Sequence, residues 1–146
     1  VIKAGGTIFI NRKNKKNLLS VNQEVAKLLQ NGATIGLFPE GKTSFGTTVL
    51  PFKAPILEAA RMANSKIYPI VLSYRKNDNE LAQEVSFANV GWLTTVMNTL
   101  RLRNLIINVT VLPPVMALDF SDRESLSEYL HQEISKSYQS QQDFAN

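Results

Sequence analysis

The sequence contains no cysteine, and this absence excludes disulfide bonds, thiolate nucleophiles and zinc sites built on cysteine. It has one histidine and one tryptophan. No apolar run approaches the roughly 18 residues that a membrane-spanning helix requires. The N-terminus also lacks a charged start followed by an apolar block, so a signal peptide is not indicated.

The composition that remains is that of an ordinary globular chain. The 146 residues predict one domain, with 44% apolar and 19% charged residues. The net charge of +4 is compatible with phosphate-bearing partners or an anionic membrane surface. The basic residues are scattered and no aromatic stacking face accompanies them, so we predict no nucleic-acid partner.

The first third of the chain predicts a strand, a helix and a second strand. Residues 6–10 and 33–38 are short, apolar and rich in β-branched side chains, as strands are. Ser20 and Gln23 form a capping box for the helix between them, and Gly32 supplies its end. Its apolar positions share one face: Val21, Val25, Leu28 and Leu29. This order implies parallel pairing, so the predicted fold class is α/β, a mostly parallel sheet flanked by helices.

The remaining two thirds of the chain also predict alternating helices and strands. A helix is predicted near residues 56–63 and a strand over 66–74, interrupted by Pro69. A helical stripe at 92–100 is interpreted as core, and a strand at 105–115 ends in two prolines. The last helix is predicted to open with a capping box of Ser121 and Glu124.

Two polar segments follow the first two strands. In open α/β sheets, sites form beyond the carboxyl ends of the strands. Arg12 offers a planar fork for a phosphate or carboxylate, and Gly41 allows the backbone N–H groups to approach an anion. Lys42, Thr43 and Ser44 add donors. The residue types alone fit a surface ion pair beside a turn equally well.

Two other features carry less chemistry. His131 flanks the apolar face of the last helix without a defensible acid partner, so a boundary histidine is favoured over a catalytic base. Arg101 and Arg103 follow the 92–100 stripe, and contact with anionic lipid is an open alternative for them.

Taken together, the motifs resemble the glycerol-phosphate / lysophospholipid acyltransferase family (1-acylglycerol-3-phosphate acyltransferase-like). "GTIFINR" (6–12) fits the family block G-x-x-F-I-x-R, and "FPEGKTS" (38–44) fits F-P-E-G-T-R/T-S at all but one position. "IYPIVLSY" (67–74) matches a later block through its internal proline. The blocks occur in family order and span nearly the whole chain.

The resemblance implies roles for these residues. Gly6 and Arg12 would belong to the acceptor site, with Arg12 on the acceptor's phosphate. Glu40 and Gly41 would shape that site, Lys42 and Thr43 would line it, and Ser44 would support its loop. Pro69 would help to position the acyl-donor side.

The resemblance also implies what is missing. The family's catalytic H-x-x-x-x-D block precedes "GTIFINR", and no such block is present. Because the chain starts at Val1, we expect residues 1–146 to be the C-terminal portion of an acyltransferase domain, with its catalytic His and Asp upstream. The chain alone is expected to be inactive. A non-catalytic anion- or lipid-binding module is the alternative.

The expected partners follow from the family reaction. They are a lysophospholipid acceptor, acyl-CoA or acyl carrier protein as donor, and a membrane surface, with no cofactor and no metal. Lys42 replaces a threonine and Thr43 stands where many members have a second arginine. Since an ammonium lacks the fork of a guanidinium, the acceptor could be lysophosphatidate or lyso-ornithine lipid. The expected location is the cytoplasmic face of a membrane, such as the bacterial inner membrane.

Overall fold

A computed structural model describes residues 2–4, 7–9, 15–76, 80–88 and 90–143. These residues combine α-helices with short β-strands. In chain order the elements are β1 (Ile2–Ala4), β2 (Thr7–Phe9), α1 (Lys15–Gln30), α2 (Glu58–Met62), β3 (Lys66–Ile67), β4 (Ile70–Arg75), α3 (Trp92–Arg101), β5 (Ile106–Val111), β6 (Val115–Met116) and α4 (Arg123–Asp143). No helix in this described part is long and apolar enough to cross a bilayer.

The strands of the described residues form three two-stranded sheets, β1–β2, β3–β6 and β4–β5, and each pair is antiparallel. Mixed helix and sheet content is therefore confirmed, but the predicted parallel pairing is not seen. Residues 33–38, predicted as a strand, belong to none of these ladders. A strand needs a neighbour for its N–H and C=O groups, and here Phe38 instead leaves 78% of its surface exposed.

The chain divides into two compact units. The first comprises the described parts of Val1–Pro39, Lys53–Ile67 and Pro114–Ser127. The second comprises those of Glu40–Phe52, Tyr68–Pro113 and Glu128–Asn146.

The core of the first unit lies between α1 and the segment that leads into α2. Val21, Val25 and Ala59 are buried together, as the apolar face predicted for α1 requires. Three half-buried side chains pack against this cluster: Leu29, Ile35 and Ile56. The helix-helix contact is thus made by apolar surface removed from water, the usual source of folding free energy.

The ends of α1 differ in how well the sequence predicted them. The helix begins by Lys15, so Ser20 lies inside it and does not cap it. Lysine and leucine between these positions are good helix formers and extend the helix past the cap signal. The other end is as predicted: Gly32 has φ +84° and donates to the Leu29 carbonyl at 3.0 Å.

Helix α2 is short and is fixed by one side chain. It continues a 3₁₀ turn, Ala54–Ile56, that starts the predicted helical region. The Arg61 guanidinium donates to the carbonyls of Ala117 at 3.2 Å, Phe120, and Ser121 at 3.0 Å. All of these residues are in the first unit. Arg61 therefore stabilises that unit by donating to three main-chain carbonyls with one guanidinium group.

The start of α4 lies one residue from the predicted cap. The Ser125 N–H donates to Asp122 Oδ1 at 2.7 Å, and the Asp122 N–H donates back to Ser125 Oγ at 3.3 Å. The capping box is therefore Asp122 with Ser125, and the prediction of Ser121 with Glu124 was wrong. Ser125 is not the Glu or Gln that the capping-box pattern requires at this position, so the pattern did not indicate this pair, although Asp is a favoured N-cap residue.

In the second unit, α4 covers one face of the β4–β5 sheet with polar contacts. Ser73 Oγ donates to the Gln141 side chain at 3.1 Å, and Gln141 Nε2 donates to Thr110 Oγ1 at 2.9 Å. The Arg75 guanidinium donates to the Gln141 carbonyl at 2.9 Å. Side chains alternate along a strand, so the opposite face consists of Ile70, Leu72, Tyr74, Ile107, Val109 and Val111. All of these are exposed except Leu72, which is half-buried.

Helix α3 corrects another prediction. The stripe interpreted as core is exposed: Trp92, Leu93, Val96, Met97 and Leu100 all face solvent. The buried residue of this helix is Thr95. Periodicity alone predicted the helix and its stripe, but not which side of the helix contacts the rest of the unit.

Candidate functional site

The predicted site residues fall into three groups in the structure. Gly6 and Arg12 lie outside the described residues. Residues 40–44 open a loop of the second unit, Glu40–Phe52, called the site loop below. Pro69, also in the second unit, stands between β3 and β4. It is buried, and its carbonyl accepts a hydrogen bond from the Leu112 N–H at 2.9 Å.

The Glu40 side chain closes the site loop on itself. Its Oε2 accepts a hydrogen bond from the Leu50 N–H at 2.9 Å. A carboxylate that accepts from a backbone N–H makes a charge-assisted hydrogen bond, which is stronger than a neutral one. The half-buried Glu40 therefore ties the start of the loop to a residue near its end.

Two glycines and a serine bend the chain between these points. Gly41 and Gly46 have φ of +67° and +74°, a left-handed conformation in which a side chain is strained. Ser44 Oγ accepts from the Gly46 N–H at 3.2 Å, and the Ser44 carbonyl accepts from Ser86 Oγ at 2.6 Å. The backbone of the loop is thus defined by local hydrogen bonds.

Helix α4 holds the far side of the loop through main-chain carbonyls. The Tyr138 hydroxyl donates to the Gly46 carbonyl, and Gln142 Nε2 donates to the Thr47 carbonyl at 3.3 Å. His131 Nε2 lies 3.3 Å from the Val49 carbonyl oxygen, to which it donates. Residues spaced by seven and four positions share one helix face, so the three side chains form a single row on α4.

The contacts of His131 are structural. Besides the Val49 carbonyl, its ring meets Phe52 edge-on, with centroids 5.2 Å apart and planes at 81°. Both contacts hold the imidazole ring against the site loop. The half-buried position agrees with the boundary histidine favoured by the sequence.

Tyr138 is the most deeply buried of the three α4 side chains that hold the loop. Burial raises the pKa of its hydroxyl above the usual value of 10.0, and the nearby Glu40 carboxylate acts in the same direction. The phenol therefore stays protonated and can donate to Gly46. A Cβ atom added at Gly46 would stand 3.7 Å from this hydroxyl, in ordinary contact.

The side chains of Lys42 and Thr43 are exposed on this restrained backbone. They present an ammonium group and a hydroxyl, both of which donate hydrogen bonds to an anion. Such an arrangement can hold a phosphate or carboxylate, but it contains no base for proton transfer. Within the residues that the structure describes, no three His, Asp or Glu side chains gather as metal ligands.

The sequence motifs identified residues 40–44 of the site loop but not the residues that hold the loop in place. Ser86, Tyr138 and Gln142 contact it from distant positions in the chain. The signal available was the spacing of polar and aromatic residues on the inner face of α4. That spacing shows that these residues share one helix face, but it does not identify the residues that the face contacts.

Comparisons with known proteins agree with the motifs. Residues 1–73 match the family model described as Acyltransferase. The chain is 31% identical to the 1-acyl-sn-glycerol-3-phosphate acyltransferase of Neisseria gonorrhoeae over 88% of its length and 51% of the relative's. It is 27% identical to the lyso-ornithine lipid O-acyltransferase of Pseudomonas aeruginosa, over 88% of its length and 49% of that relative.

A further relative is the human 1-acyl-sn-glycerol-3-phosphate acyltransferase alpha, 41% identical over 47% of the chain and 24% of that protein. No solved structure matches the chain significantly. The chain thus spans about half the length of the bacterial relatives named here. Because the family model covers half of the chain, the chain belongs to the acyltransferase family.

Proposed function

We propose that this chain is the acceptor-binding portion of an acyltransferase domain that moves a fatty acyl group onto the hydroxyl of a lysophospholipid. The acceptor proposed first is 1-acylglycerol-3-phosphate, which would give phosphatidic acid. Acyl-CoA or acyl carrier protein would be the donor. The relatives named 1-acyl-sn-glycerol-3-phosphate acyltransferases support this acceptor.

The observation that carries the proposal is the geometry of the site loop. Its backbone is restrained by Glu40 at one end and by α4 at the other, while Lys42 and Thr43 stay exposed. Donors held in place lose little conformational entropy when they bind, so they favour a ligand of matching shape. An anionic lipid headgroup fits these donors.

In the proposed reaction, the acceptor hydroxyl loses its proton to a base as its oxygen attacks the thioester carbonyl. A tetrahedral oxyanion forms, and its collapse breaks the carbon–sulfur bond and releases the thiol, which takes up the proton. Arg12 would hold the acceptor's phosphate, and Pro69 would stand on the acyl-donor side. The base would be a His–Asp pair upstream of Val1, since the contacts of His131 are structural.

The parallel sheet and the membrane location belong to the same proposal. Residues 33–38 would join a mostly parallel sheet in the longer protein that contains this chain. Leu37 and Phe38 are adjacent and exposed, so both are available to pack against an element of that longer protein. The enzyme would act at the cytoplasmic face of a membrane, where its lipid acceptor lies.

Lyso-ornithine lipid is a second candidate acceptor. The similarity to the Pseudomonas aeruginosa enzyme favours it, as does the Lys42–Thr43 pair in place of the family's usual threonine and arginine. That acceptor has no phosphate, so a point charge and a hydroxyl would suffice to bind its headgroup.

The test compares the two acceptors in the longer protein with labelled acyl-CoA. Residues 1–146 alone should show no turnover, and the protein with its upstream segment should transfer the label. Histidine-to-alanine in the upstream block should abolish transfer. Turnover by residues 1–146 alone would contradict the upstream base, and absence of transfer to either lysolipid by the longer protein would contradict the proposed function.

Substitutions in the acceptor site give a finer test. Arg12→Ala and Lys42→Ala should raise the KM for the acceptor much more than that for the donor, because both residues are proposed to contact the acceptor. Lys66→Ala, an exposed lysine on β3, is the matched control and should change neither. Equal effects on both substrates would argue for a structural role of the two residues.

A further inference from the structure

Helix α3 exposes its apolar face to solvent and buries a polar residue, which is the reverse of the usual arrangement. Thr95 is 1% exposed, whereas Trp92 is 65% and Leu100 is 74% exposed. A surface helix of a globular protein normally turns its apolar stripe to the core and its polar residues to water. The exposed apolar positions of α3 lie on one face: Trp92, Leu93, Val96, Met97 and Leu100, called the α3 stripe below.

The polar side of α3 is what attaches it to the second unit. Thr95 Oγ1 donates to the Ser86 carbonyl at 3.1 Å. Thr99 Oγ1 donates to the Thr95 carbonyl at 2.8 Å, a hydrogen bond within α3 itself. Rotation of the helix about its axis to bury the stripe would break the Thr95–Ser86 hydrogen bond. It would also leave a half-buried carbonyl without that donor, which is costly.

The charged residues of the segment that carries the stripe are both basic. Arg101 and Arg103 are exposed and are the only charged residues from position 85 to position 118. They follow the stripe in sequence, and Phe87 and Val90, which precede it, are also exposed. An apolar stripe followed by two exposed guanidinium groups is complementary to an anionic lipid surface.

We propose that the α3 stripe docks on the surface of an anionic bilayer. The helix lies in the plane of the membrane, with its apolar side chains at the boundary between headgroups and acyl chains. Arg101 and Arg103 contact lipid phosphates, and the indole of Trp92 sits at the polar–apolar boundary, which aromatic side chains favour. This names a docking surface for the membrane location proposed above and rests on that location alone, not on acyl transfer.

The charges favour lipid over a second copy of the chain. A second copy would bring the same two arginines and no acidic residue in the same segment to pair with them. A phospholipid surface supplies one phosphate per headgroup and many apolar chains at the depth that the stripe reaches. Each basic residue near such a surface strengthens binding by roughly fivefold.

Trp92 makes the proposal directly measurable, because it is the only tryptophan and belongs to the stripe. The chain is mixed with vesicles of equimolar phosphatidylcholine and phosphatidylglycerol, and tryptophan emission is recorded. A blue shift, quenching by brominated lipid and co-flotation with the vesicles are expected. Pure phosphatidylcholine and high salt should both weaken binding, since the guanidinium contacts are screened.

Two sets of variants retain the probe. Val96→Ser with Leu100→Ser removes apolar surface and should weaken vesicle binding by about tenfold or more. Arg101→Glu with Arg103→Glu should do so by a similar factor. Lys27→Glu with Lys66→Glu changes the net charge equally at exposed positions elsewhere and should weaken binding less than about threefold. Circular dichroism checks that each variant is folded.

Specific results would overturn the proposal. They are no blue shift with anionic vesicles, binding that the stripe variants leave unchanged, or an equal loss in the Lys27/Lys66 control. A blue shift without vesicles that grows with protein concentration, together with a dimer in sedimentation, would assign the stripe to a second copy instead. Emission that is already blue and shielded from acrylamide in the monomer would show that the chain itself covers the stripe.

Acyl transfer is measured separately, with a short-chain lysolipid that is soluble in water. If the chain binds vesicles as expected but the longer protein transfers no acyl group, the proposed function fails and the docking surface stands. If transfer proceeds while the stripe variants bind vesicles normally, the docking surface fails and the proposed function stands.

Discussion

The two units of this chain hold their helices in different ways. In the first unit, α1 is held by apolar side chains, with Val21 and Val25 buried against Ala59. In the second, α3 is held by the hydroxyl of Thr95, and α4 reaches its neighbours through Tyr138 and other polar side chains. The apolar face of α1 is thus buried in the first unit, whereas in the second unit the apolar faces of α3 and of the β4–β5 sheet are exposed.

This difference separates two uses of amphipathic structure. An apolar stripe turned inward contributes to folding free energy through area removed from water. A stripe that faces solvent does not stabilise the isolated chain in this way. Its burial becomes favourable only when another surface covers it. The stripes of α1 and α3 are thus expected to serve stability and docking respectively, and four predictions test how the helices are held.

The largest contrast should come from the same substitution in both stripes. Val21→Asp places an unpaired carboxylate at a position that is 1% exposed, so we expect a loss of roughly 3–5 kcal/mol in the free energy of unfolding. Val96→Asp, on the exposed stripe of α3, should change it by about 0.5 kcal/mol or less. Urea titrations measure both values. Similar losses at the two positions would contradict the contrast between the units.

A smaller effect is expected where a hydroxyl holds a helix. Thr95→Ala removes the donor to the Ser86 carbonyl and should cost about 1–2 kcal/mol in the free energy of unfolding, because a half-buried acceptor loses its partner. The matched control is Thr94→Ala, an exposed neighbour on the same helix, for which about 0.5 kcal/mol or less is expected. If both variants unfold at the same urea concentration, polar attachment of α3 is wrong.

The hydrogen bond from Tyr138 of α4 to the site loop should contribute still less to the free energy of unfolding. Tyr138→Phe removes the hydrogen bond to the Gly46 carbonyl and should cost about 1 kcal/mol. Because burial raises the pKa of Tyr138, its contribution is present below pH of about 10 and is lost as the pH rises through the folded-state value. Stability of the original chain should therefore fall at high pH more steeply than that of the variant. Parallel pH profiles would contradict this.

The smallest effect is expected at the cap of α4. Hydrogen bonds from Ser125 lower the pKa of Asp122, so its contribution is present above the usual aspartate value and is lost as the pH falls through the lower folded-state value. Asp122→Asn keeps an N-cap acceptor and should flatten this acid dependence with little change at neutral pH. Thermal unfolding at several pH values measures it, and an unchanged acid profile would exclude the cap as its source.

The sequence predicted those features that depend on short spacings. The buried face of α1 and its stop at Gly32 follow from helical period and from the one residue that adopts a left-handed conformation without strain. The strand before the two prolines is likewise present as β5, Ile106–Val111. In each case the cause lies within a few residues of the feature.

Features that depend on distant neighbours were not predictable in the same way. Residues 33–38 have strand composition, but a strand exists only where another backbone pairs with it. The stripe of α3 has the periodicity of a buried helix face. The helix instead contacts Ser86 through the hydroxyl of Thr95. The supports of the site loop come from Ser86 and α4, and no local pattern links these residues to the loop.

The manner in which α4 holds the site loop bears on how this domain can diversify. His131, Tyr138 and Gln142 all donate to main-chain carbonyls of the loop, and every residue type provides such a carbonyl. The exposed side chains at positions 42 and 43 are therefore exchangeable without loss of these supports. Under the proposed function, a lineage could change its acceptor by substitution at these two positions while the supports of the loop stay the same.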